Sequence, residues 1–216
     1  AFVVEDLSAF GGQKLLLDRI SLRIFGGSIT VLLGENGAGK TTLLDLLSGV
    51  RSPVQGKVTV GGDDLCRLHP SLRAQKISSL SQLDWAPDDL QVAWRIAHGL
   101  VPRLGFRKLL TTSARDRVHA IAQRLCVDQL LRLPLGALSG GERRRVSCAR
   151  ALVDDLAIAY LLDEPFAGLD LNHREILVGL LQERAASGAV VVVSLHEISL
   201  ARALGGRLIS LRRGQV

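Results

Sequence analysis

Aromatic residues are scarce in this sequence of 216 residues, where they make up 4% of the chain. So few rings are too few for the base-stacking platforms of single-strand nucleic-acid binders. The net charge of +6 permits contact with nucleic acid or with an anionic membrane surface, and does not choose between them. The arginines are scattered, and for at least two residues of the tightest cluster, Arg143-Arg144-Arg145, we expect a solvated helix face. Nucleic acid is therefore not an expected partner.

Cysteines and long apolar runs are also few. Cys66, Cys126 and Cys148 share no metal-ligand spacing, and an odd number does not suit a disulfide framework. A reducing cytoplasm fits this pattern best. Charged residues interrupt every apolar stretch before the roughly 18 residues that a membrane span needs, so we do not expect the chain to cross a bilayer by itself. We expect no signal peptide, because the first residues lack its pattern.

The apolar runs that do occur are short and rich in β-branched residues. Those at 156–162 and 189–193 are typical of strands buried on both faces of a parallel sheet, which predicts an α/β fold. The pattern of residues 2–33 predicts antiparallel strands at a half-exposed edge, followed by a buried strand, with Phe10 in a turn. An exposed Phe10 ring could stack on an adenine, but a ring tucked under a loop is equally compatible with the sequence.

A change from strand to helix patterns marks an insertion. We expect one domain over residues 1–216, with a core at about 1–87 and 134–216 and a helical subdomain at about 88–133. Ser113 and Asp116 are spaced as a capping box that would open a helix within this subdomain.

A glycine-rich stretch, Gly34-Glu35-Asn36-Gly37-Ala38-Gly39-Lys40-Thr41, lies between a predicted strand and a predicted helix. Glycines allow backbone N–H groups to approach phosphate oxygens closely, and a helix start adds its positive dipole end. Lys40 can reach the β and γ phosphates, and Thr41 can offer its hydroxyl to Mg²⁺. A Gly-rich turn without function is the alternative, which the flanking strand and helix make less favourable.

Polar side chains follow three further predicted strands. Gln82 follows one, Asp163 and Glu164 end another, and His196 ends a third. Open α/β sheets bind ligands at the carboxyl ends of their strands. Because successive strand residues face opposite ways, Asp163 can face Mg²⁺ while Glu164 orients or deprotonates a water. Each of these residues alone would be read as part of a turn or as a locally satisfied polar group.

The stretch Leu138-Ser139-Gly140-Gly141-Glu142 precedes a predicted helix. Ser139 and Glu142 are spaced as a capping box. Two glycines in the first turn lower helix stability but leave the first N–H groups uncovered. We therefore expect an open anion site with a hydroxyl beside it.

With GENGAGKT, Gln82, LSGGE, LLDEP, the Asp170 turn and His196 in this order, the whole chain resembles an ATP-binding cassette (ABC) ATPase. The resemblance implies an α/β P-loop NTPase fold with a mixed central sheet, an antiparallel β edge subdomain and an inserted helical subdomain. It also implies a homodimer formed on ATP binding, in which nucleotide lies between the P-loop of one copy and the Ser139 helix start of the other. ATP and Mg²⁺ are the cofactors implied.

The resemblance also implies a role for each motif residue. Glu164 looks like the general base, His196 like the residue that contacts the γ-phosphate and holds Glu164, and Lys40 and Gln82 complete the catalytic set. Thr41, Gln82 and Asp163 look like the residues that serve Mg²⁺. The nucleotide-binding residues implied are Phe10, Asn36, Gly37, Ala38, Gly39, Lys40, Thr41, Thr42, Ser139, Gly140, Gly141, Glu142 and Asp170.

Three departures from the family pattern are modest. Phe10 stands for the commoner Tyr, Glu142 for the usual Gln, and the Asp170 turn reads Phe-Ala-Gly-Leu-Asp rather than Ser-Ala-Leu-Asp. The last of these bears on the contacts expected across a dimer.

Within the family, the stretches 99–102, 169–173 and 194–201 are similar to cassettes of iron-siderophore, heme and vitamin B12 importers. Such cassettes lie at the cytoplasmic face of the inner or plasma membrane and dock on transmembrane permease subunits through a groove near Gln82 and the helical subdomain. An extracytoplasmic substrate-binding protein belongs to such a system. Two alternatives are a soluble cassette acting on DNA or the ribosome, suggested by the +6 charge, and a regulatory nucleotide-binding module without hydrolysis.

Overall fold

The computed structural model describes residues 1–82 and 84–216, and the strands of this part of the chain form two sheets. The strands are β1 (Phe2–Gly11), β2 (Lys14–Ile24), β3 (Ile29–Leu33), β4 (Gln55–Val60), β5 (Asp63–Asp64), β6 (Ile77–Leu80), β7 (Ala159–Asp163), β8 (Val190–Leu195) and β9 (Arg207–Ser210). The α-helices are α1 (Lys40–Ser48), α2 (Pro70–Lys76), α3 (Val92–Ala97), α4 (Val101–Leu104), α5 (Thr112–Arg124), α6 (Gly140–Leu152), α7 (Leu171–Ala186) and α8 (Ile198–Leu204).

The central sheet has the strand order β6-β7-β8-β3-β9, and its described strands are all parallel. Every residue of β7 and β8 is buried, as short apolar runs predict for strands covered on both faces. The antiparallel strands form a separate sheet, β2-β1-β4-β5, in which a tight hairpin joins β1 to β2. The α/β fold with an antiparallel edge is thus confirmed, whereas the expected mixing of directions does not occur within the central sheet.

The two faces of the central sheet pack against different layers because side chains alternate along each strand. On β8, Val191 and Val193 join an apolar cluster with α6, α7 and the helices between β6 and β7. Val190 and Val192 join a second cluster with α1 and the antiparallel sheet. The sheet is therefore the middle layer between helices on one side and α1 with the antiparallel sheet on the other.

The register of the parallel strands brings their carboxyl ends to one edge. Leu33 at the end of β3 lies opposite Leu195 at the end of β8, and Asp163 at the end of β7 lies opposite Ser194. The glycine-rich stretch follows β3, and Gln82 comes two residues after β6. The loops that carry the candidate site residues therefore leave the sheet at the same edge, where open α/β sheets bind ligands.

Two predicted boundaries were wrong. Strand β7 begins at Ala159, and Leu156 is 62% exposed, because the preceding chain is held in a turn by the buried Asp154. The Asp154 carboxylate accepts hydrogen bonds from Arg103 and Arg117.

Helix α5 is capped by Thr111, whose hydroxyl accepts a hydrogen bond from the N–H group of Ala114 at 3.4 Å, and not by the predicted box at Ser113 and Asp116. The earlier start is set by tertiary packing, which buries Ala114 and Val118 against the core.

Helices α3 to α5 lie between β6 and β7, in the segment where the sequence places the helical subdomain. Its boundaries at about 88 and 133 stay a prediction. None of the helices in residues 1–82 and 84–216 combines the length and the apolar character that a membrane span requires.

Replacing Leu47 with Ala should lower the free energy of unfolding by about 2–5 kcal/mol, because this side chain on α1 is fully buried in the second cluster and its loss leaves a cavity. Urea denaturation followed by circular dichroism measures the change. The control Leu171→Ala removes a side chain that is 73% exposed and should change the value by less than about 0.5 kcal/mol. Equal losses in the two variants would contradict the assignment of this core.

Candidate active site

The glycine-rich loop ends where helix α1 begins at Lys40, so the first N–H groups of the helix face the loop. Gly37 and Gly39 adopt positive φ angles of +80° and +108°, which side chains other than glycine rarely accept. A Cβ on Gly39 would lie 2.7 Å from Leu17 Cδ2, whereas a Cβ on Gly37 would meet no atom within 4 Å. Gly39 is thus required for packing, and Gly37 faces open space in which phosphate oxygens can approach the backbone.

Lys40 is 6% exposed, and its ammonium group is held inside the loop. Its Nζ donates hydrogen bonds to the carbonyl oxygens of Gly34 at 2.7 Å and Glu35 at 3.2 Å. These contacts keep a positive charge at the centre of the loop. A bound anion would compete with the two carbonyl oxygens for the same donor.

Asp163 is 2% exposed and is bound from two sides. The hydroxyl of Thr41 donates to its Oδ2 at 2.6 Å, and the hydroxyl of Ser194 donates to its Oδ1. Burial, and then the negative charge of Asp163, raise the pKa of the neighbouring Asp45. The Thr41 hydroxyl and the Asp163 carboxylate offer the hard oxygen ligands that Mg²⁺ prefers, and the nearby negative charge also favours a cation. Thr41 and Asp163 therefore fit the ion.

Glu164 follows β7 directly and has a positive φ of +47°, which costs a non-glycine residue about 1–2 kcal/mol. Its N–H group donates a hydrogen bond to Ser194 Oγ at 2.9 Å. His196 Nδ1 lies 3.6 Å from Glu164 Oε1, which is close enough for an ion pair but too long for a hydrogen bond. Among the residues that the structure describes, the carboxylate of Glu164 therefore keeps capacity to accept further hydrogen bonds.

One cleft brings together most of the predicted residues of the P-loop and of the strand ends. It is lined by Leu16, Asn36, Gly37, Gly39, Lys40, Thr41, Thr42, Gln82 and Glu164. An anion-binding loop, an ammonium group, a hydroxyl and a carboxylate thus face one space, as transfer of a phosphoryl group to water requires. Asp163 does not line this cleft itself but accepts a hydrogen bond from Thr41, which does. Ala38 is buried within the loop.

The helix start at Ser139 lies apart from the P-loop. Gly140 lines a neighbouring cleft with Gln82 and Glu164, to which Lys40 and Thr41 do not contribute. The capping box is confirmed: Ser139 Oγ accepts from the N–H group of Glu142, and the Glu142 carboxylate accepts from the Ser139 N–H group at 2.8 Å. The hydrogen bonds from Ser139 lower the pKa of Glu142. In the single chain the expected open anion site is therefore partly occupied by the chain's own carboxylate.

Phe10 and Asp170 do not line the P-loop cleft. Phe10 lies in β1 opposite Leu15, not in a turn, and is 41% exposed. It is Leu16, on the other strand of this hairpin, that lines the cleft. Asp170 is the N-cap of α7, where the backbone N–H and ring of His173 lower the pKa of its carboxyl. Their predicted contacts with nucleotide stay predictions.

The arginine cluster is not the solvated face that the sequence suggested. Arg144 and Arg145 donate to backbone carbonyl oxygens, Arg144 to those of Asp163 and Glu164 at the end of β7 and Arg145 to those of Leu125 and Cys126. Within residues 1–82 and 84–216, Arg143 is the one of the three that forms an exposed ion pair, with Asp88. The partners of Arg144 and Arg145 are 19 or more residues away in sequence, so the local sequence pattern could not reveal these contacts.

Sequence reasoning also missed Ser194 and Asp84. Ser194 could have been found, because it lies one residue from the end of a buried strand beside the strand of Asp163. Asp84 lies two residues after Gln82 and is held by Arg95 at 2.5 Å and Arg150 at 3.1 Å. Burial alone would raise the pKa of Asp84, but the charge of Arg150 and hydrogen bonds from Ser147 and Arg95 lower it overall. These ion pairs tie the segment after Gln82 to α3 and α6.

Comparison with known proteins places this geometry in context. A family model described as ABC transporter matches residues 17–167. The chain is 35% identical over 214 residues to the hemin import ATP-binding protein HmuV of Nocardia farcinica, covering 99% of this chain and 73% of that protein. It is 30% identical over 202 residues to the achromobactin transport ATP-binding protein CbrD of Dickeya dadantii, covering 93% and 75%.

Two further similarities extend the comparison. The chain is 36% identical over 200 residues to the thiamine import ATP-binding protein ThiQ of Shigella flexneri, covering 92% of this chain and 83% of that protein. Its fold matches a solved dimeric ATP-binding cassette in a post-hydrolysis state bound to ADP and Pi, with a TM-score of 0.88 at 24% identity, covering 100% of this chain and 96% of that one.

Proposed function

Because the chain belongs to the ABC transporter family and is an ATP-hydrolysing subunit of the importer type, we propose that it drives uptake of heme or an iron-siderophore through a separate permease. The observation that carries the enzymatic part is the single cleft in which Lys40, Thr41, Gln82 and Glu164 meet. The proposed residue roles follow from what each group in this cleft can do.

In the proposed mechanism, the backbone N–H groups of residues 36–42 and the Lys40 ammonium bind the phosphates of ATP. Lys40 exchanges its bonds to Gly34 and Glu35 for bonds to phosphate oxygens. Thr41, Gln82 and Asp163 would hold Mg²⁺, which when bound neutralises phosphate charge. Ser194 keeps Asp163 in place from behind.

Glu164 is the proposed general base. It accepts a proton from the attacking water as the new bond to the γ-phosphorus forms and the bond to the ADP oxygen breaks. His196 is placed to contact the γ-phosphate and to hold the Glu164 carboxylate, from which its Nδ1 is 3.6 Å away. The exposed ring of Phe10 is the proposed adenine contact.

A second copy of the chain completes the proposed site. Ser139, Gly140, Gly141 and Glu142 lie outside the P-loop cleft of their own chain, and the helix start that they form is suited to an anion. We propose that they bind the γ-phosphate of ATP held by the partner's P-loop, with Asp170 contributing to the contact between the copies. Binding there requires Ser139 to give up its bonds to Glu142.

A groove beside Gln82 is the proposed docking site for the permease. Val50 and Trp85, which are 79% and 82% exposed, line it together with Asp45 and Arg95. Large exposed apolar side chains at a groove are typical of protein contact sites. The chain would then lie at the cytoplasmic face of the membrane, held by its partner, with an extracytoplasmic substrate-binding protein delivering cargo.

Nothing in the comparisons supports the alternative of a soluble cassette that acts on DNA or the ribosome. The relatives described above are named as import or transport proteins. Uptake of heme or an iron-siderophore is preferred to uptake of thiamine because the sequence stretches at 99–102, 169–173 and 194–201 are similar to those of iron and heme cassettes.

Glu164→Gln should lower steady-state ATP turnover by about 100-fold or more, because the substitution keeps the shape of the side chain and removes the base. The variant should also form dimers in the presence of ATP, visible by size-exclusion chromatography with light scattering. Glu175→Gln, on the exposed face of α7, is the matched control and should retain wild-type turnover. Wild-type turnover in the Glu164 variant would remove this residue from the mechanism.

Trp85→Ala should weaken association with the permease at least tenfold while leaving ATP turnover of the isolated chain unchanged, because a large exposed ring at the centre of an interface contributes strongly to binding. Phe106→Ala is the control, since this ring is also exposed, at 68%, but lies outside the groove. The affinities of the two variants for the permease, in detergent or nanodiscs, can be compared by biolayer interferometry. Equal affinity of both variants would place the docking site elsewhere.

The cargo can be identified by reconstituting the chain with its permease in liposomes and adding the cognate binding protein. We expect ATP turnover to rise severalfold with binding protein loaded with heme or an iron-siderophore, because cargo delivery favours the closed cassette dimer. Binding protein without cargo is the control. Stimulation by thiamine-loaded protein alone would overturn the iron and heme assignment without affecting the ATPase assignment.

A further inference from the structure

Arg144 on α6 contacts three successive backbone carbonyl groups, beginning with that of Asp163, the last residue of β7. Its Nη2 donates to the carbonyl oxygens of Asp163 at 2.5 Å and Glu164 at 2.6 Å, and its Nε lies 3.4 Å from that of Pro165. A guanidinium group can serve three acceptors because its donors lie in a rigid plane. The turn that carries the proposed base is therefore bound directly to α6.

Ser194 holds the same turn from the opposite side. It is fully buried, its hydroxyl accepts the Glu164 N–H group at 2.9 Å, and it donates to the carboxylate of Asp163. The peptide groups on both sides of Glu164 are thus fixed. This matters because Glu164 has a φ of +47°, which a non-glycine residue keeps only when surrounding contacts hold it there.

We propose that Arg144 is a positioning residue: it sets the direction of the Glu164 carboxylate and couples that direction to the position of α6. Rotation about the φ bond of Glu164 would swing its side chain away from Gln82 and Lys40, and the Arg144 contacts oppose this rotation. The inference rests on the proposed role of Glu164 as general base.

Helix α6 connects Arg144 with the proposed contact to a second cassette. Helix α6 begins at the Ser139–Gly141 stretch that we propose binds the partner's ATP, and Arg144 is on the second turn of the same helix. A shift of α6 on binding the partner's nucleotide would therefore move the Glu164 turn in its own chain. In such a pair, α6 and the Arg144 hydrogen bonds would link the two ATP sites.

The two neighbouring arginines on α6 have different partners. Arg145 donates to Leu125 and Cys126 in the helical subdomain, and Arg143 pairs with Asp88, both side chains being exposed. Within the described residues, Arg144 alone of these three contacts the Glu164 turn. Substitutions at these three positions can therefore be compared directly, because each removes an arginine from the same helix.

Arg144→Gln should lower kcat for ATP about 10- to 100-fold with KM for ATP changed less than about threefold, because misplacing a catalytic group affects the chemical step more than binding. Arg144→Lys should show a similar loss, since a lysine offers a point charge in place of a planar fork. Arg143→Gln is the control and should keep kcat within about twofold. Wild-type kcat in both Arg144 variants would overturn the proposal.

A double-variant cycle tests whether Arg144 acts through Glu164. Single-turnover hydrolysis should be equally slow in Glu164→Gln and in Glu164→Gln with Arg144→Lys, because the base is already gone, and both should still form ATP-dependent dimers. A further slowing of the double variant by the factor seen in the single Arg144 variant would show that Arg144 acts independently, and would overturn the proposal. Wild-type hydrolysis by Glu164→Gln alone would instead refute the base assignment, and the inference with it.

Discussion

The carboxylate of Asp163 is the point on which the rest of the site depends. It is nearly inaccessible to solvent and accepts hydrogen bonds from Thr41, on the first turn of α1, and from Ser194, one residue before the end of β8. A buried carboxylate requires such donors because leaving it without them would cost several kcal/mol. One side chain thereby sets the positions of the P-loop helix and of two adjacent strand ends, and Glu164 follows immediately behind it. The geometry of the cleft is built around this bridge.

Arginine has a second organising role, because several arginine side chains bind the backbone of distant segments. Arg144 and Arg145 on α6 donate to carbonyl oxygens at the end of β7 and just after α5, Arg150 donates to Ser79 within β6, and Arg184 on α7 donates to Leu152 at the end of α6. Carbonyl groups at the ends of helices and strands lack partners within their own element, and a guanidinium group can bind them without being fully exposed. The charge excess of the sequence is thus used in part to join segments inside the protein. Net charge is a weak guide to partners here, since it does not reveal which cations face solvent.

The fold class could be predicted because it follows from local pattern. The apolar run at 189–193 overlaps β8, and Gln82, Glu164 and the P-loop meet at the predicted edge of the sheet. The errors have a common cause in tertiary contacts. Thr111 caps α5 because its position lets the helix bury Ala114 and Val118, and the chain before Ala159 turns because Asp154 is held by two distant arginines. Leu16 lines the cleft through the pairing of the β1–β2 hairpin with the rest of the molecule, which no spacing along the chain encodes.

The sequence by itself determined the chemistry available to this protein. A glycine loop before a lysine and a threonine, a carboxylate pair behind an apolar strand and a Ser-Gly-Gly helix start are local features, since backbone freedom, capping and strand burial depend on neighbouring residues. Only the tertiary structure decided which groups share a space. Lys40 and Glu164 meet in one cleft, whereas Gly140 of the Ser-Gly-Gly helix start lines a neighbouring one, and Arg144 and Ser194 fix the turn of the proposed base from two sides. Such contacts join residues far apart in the chain, and they are set by strand order and side-chain direction, which become defined only when the whole chain packs.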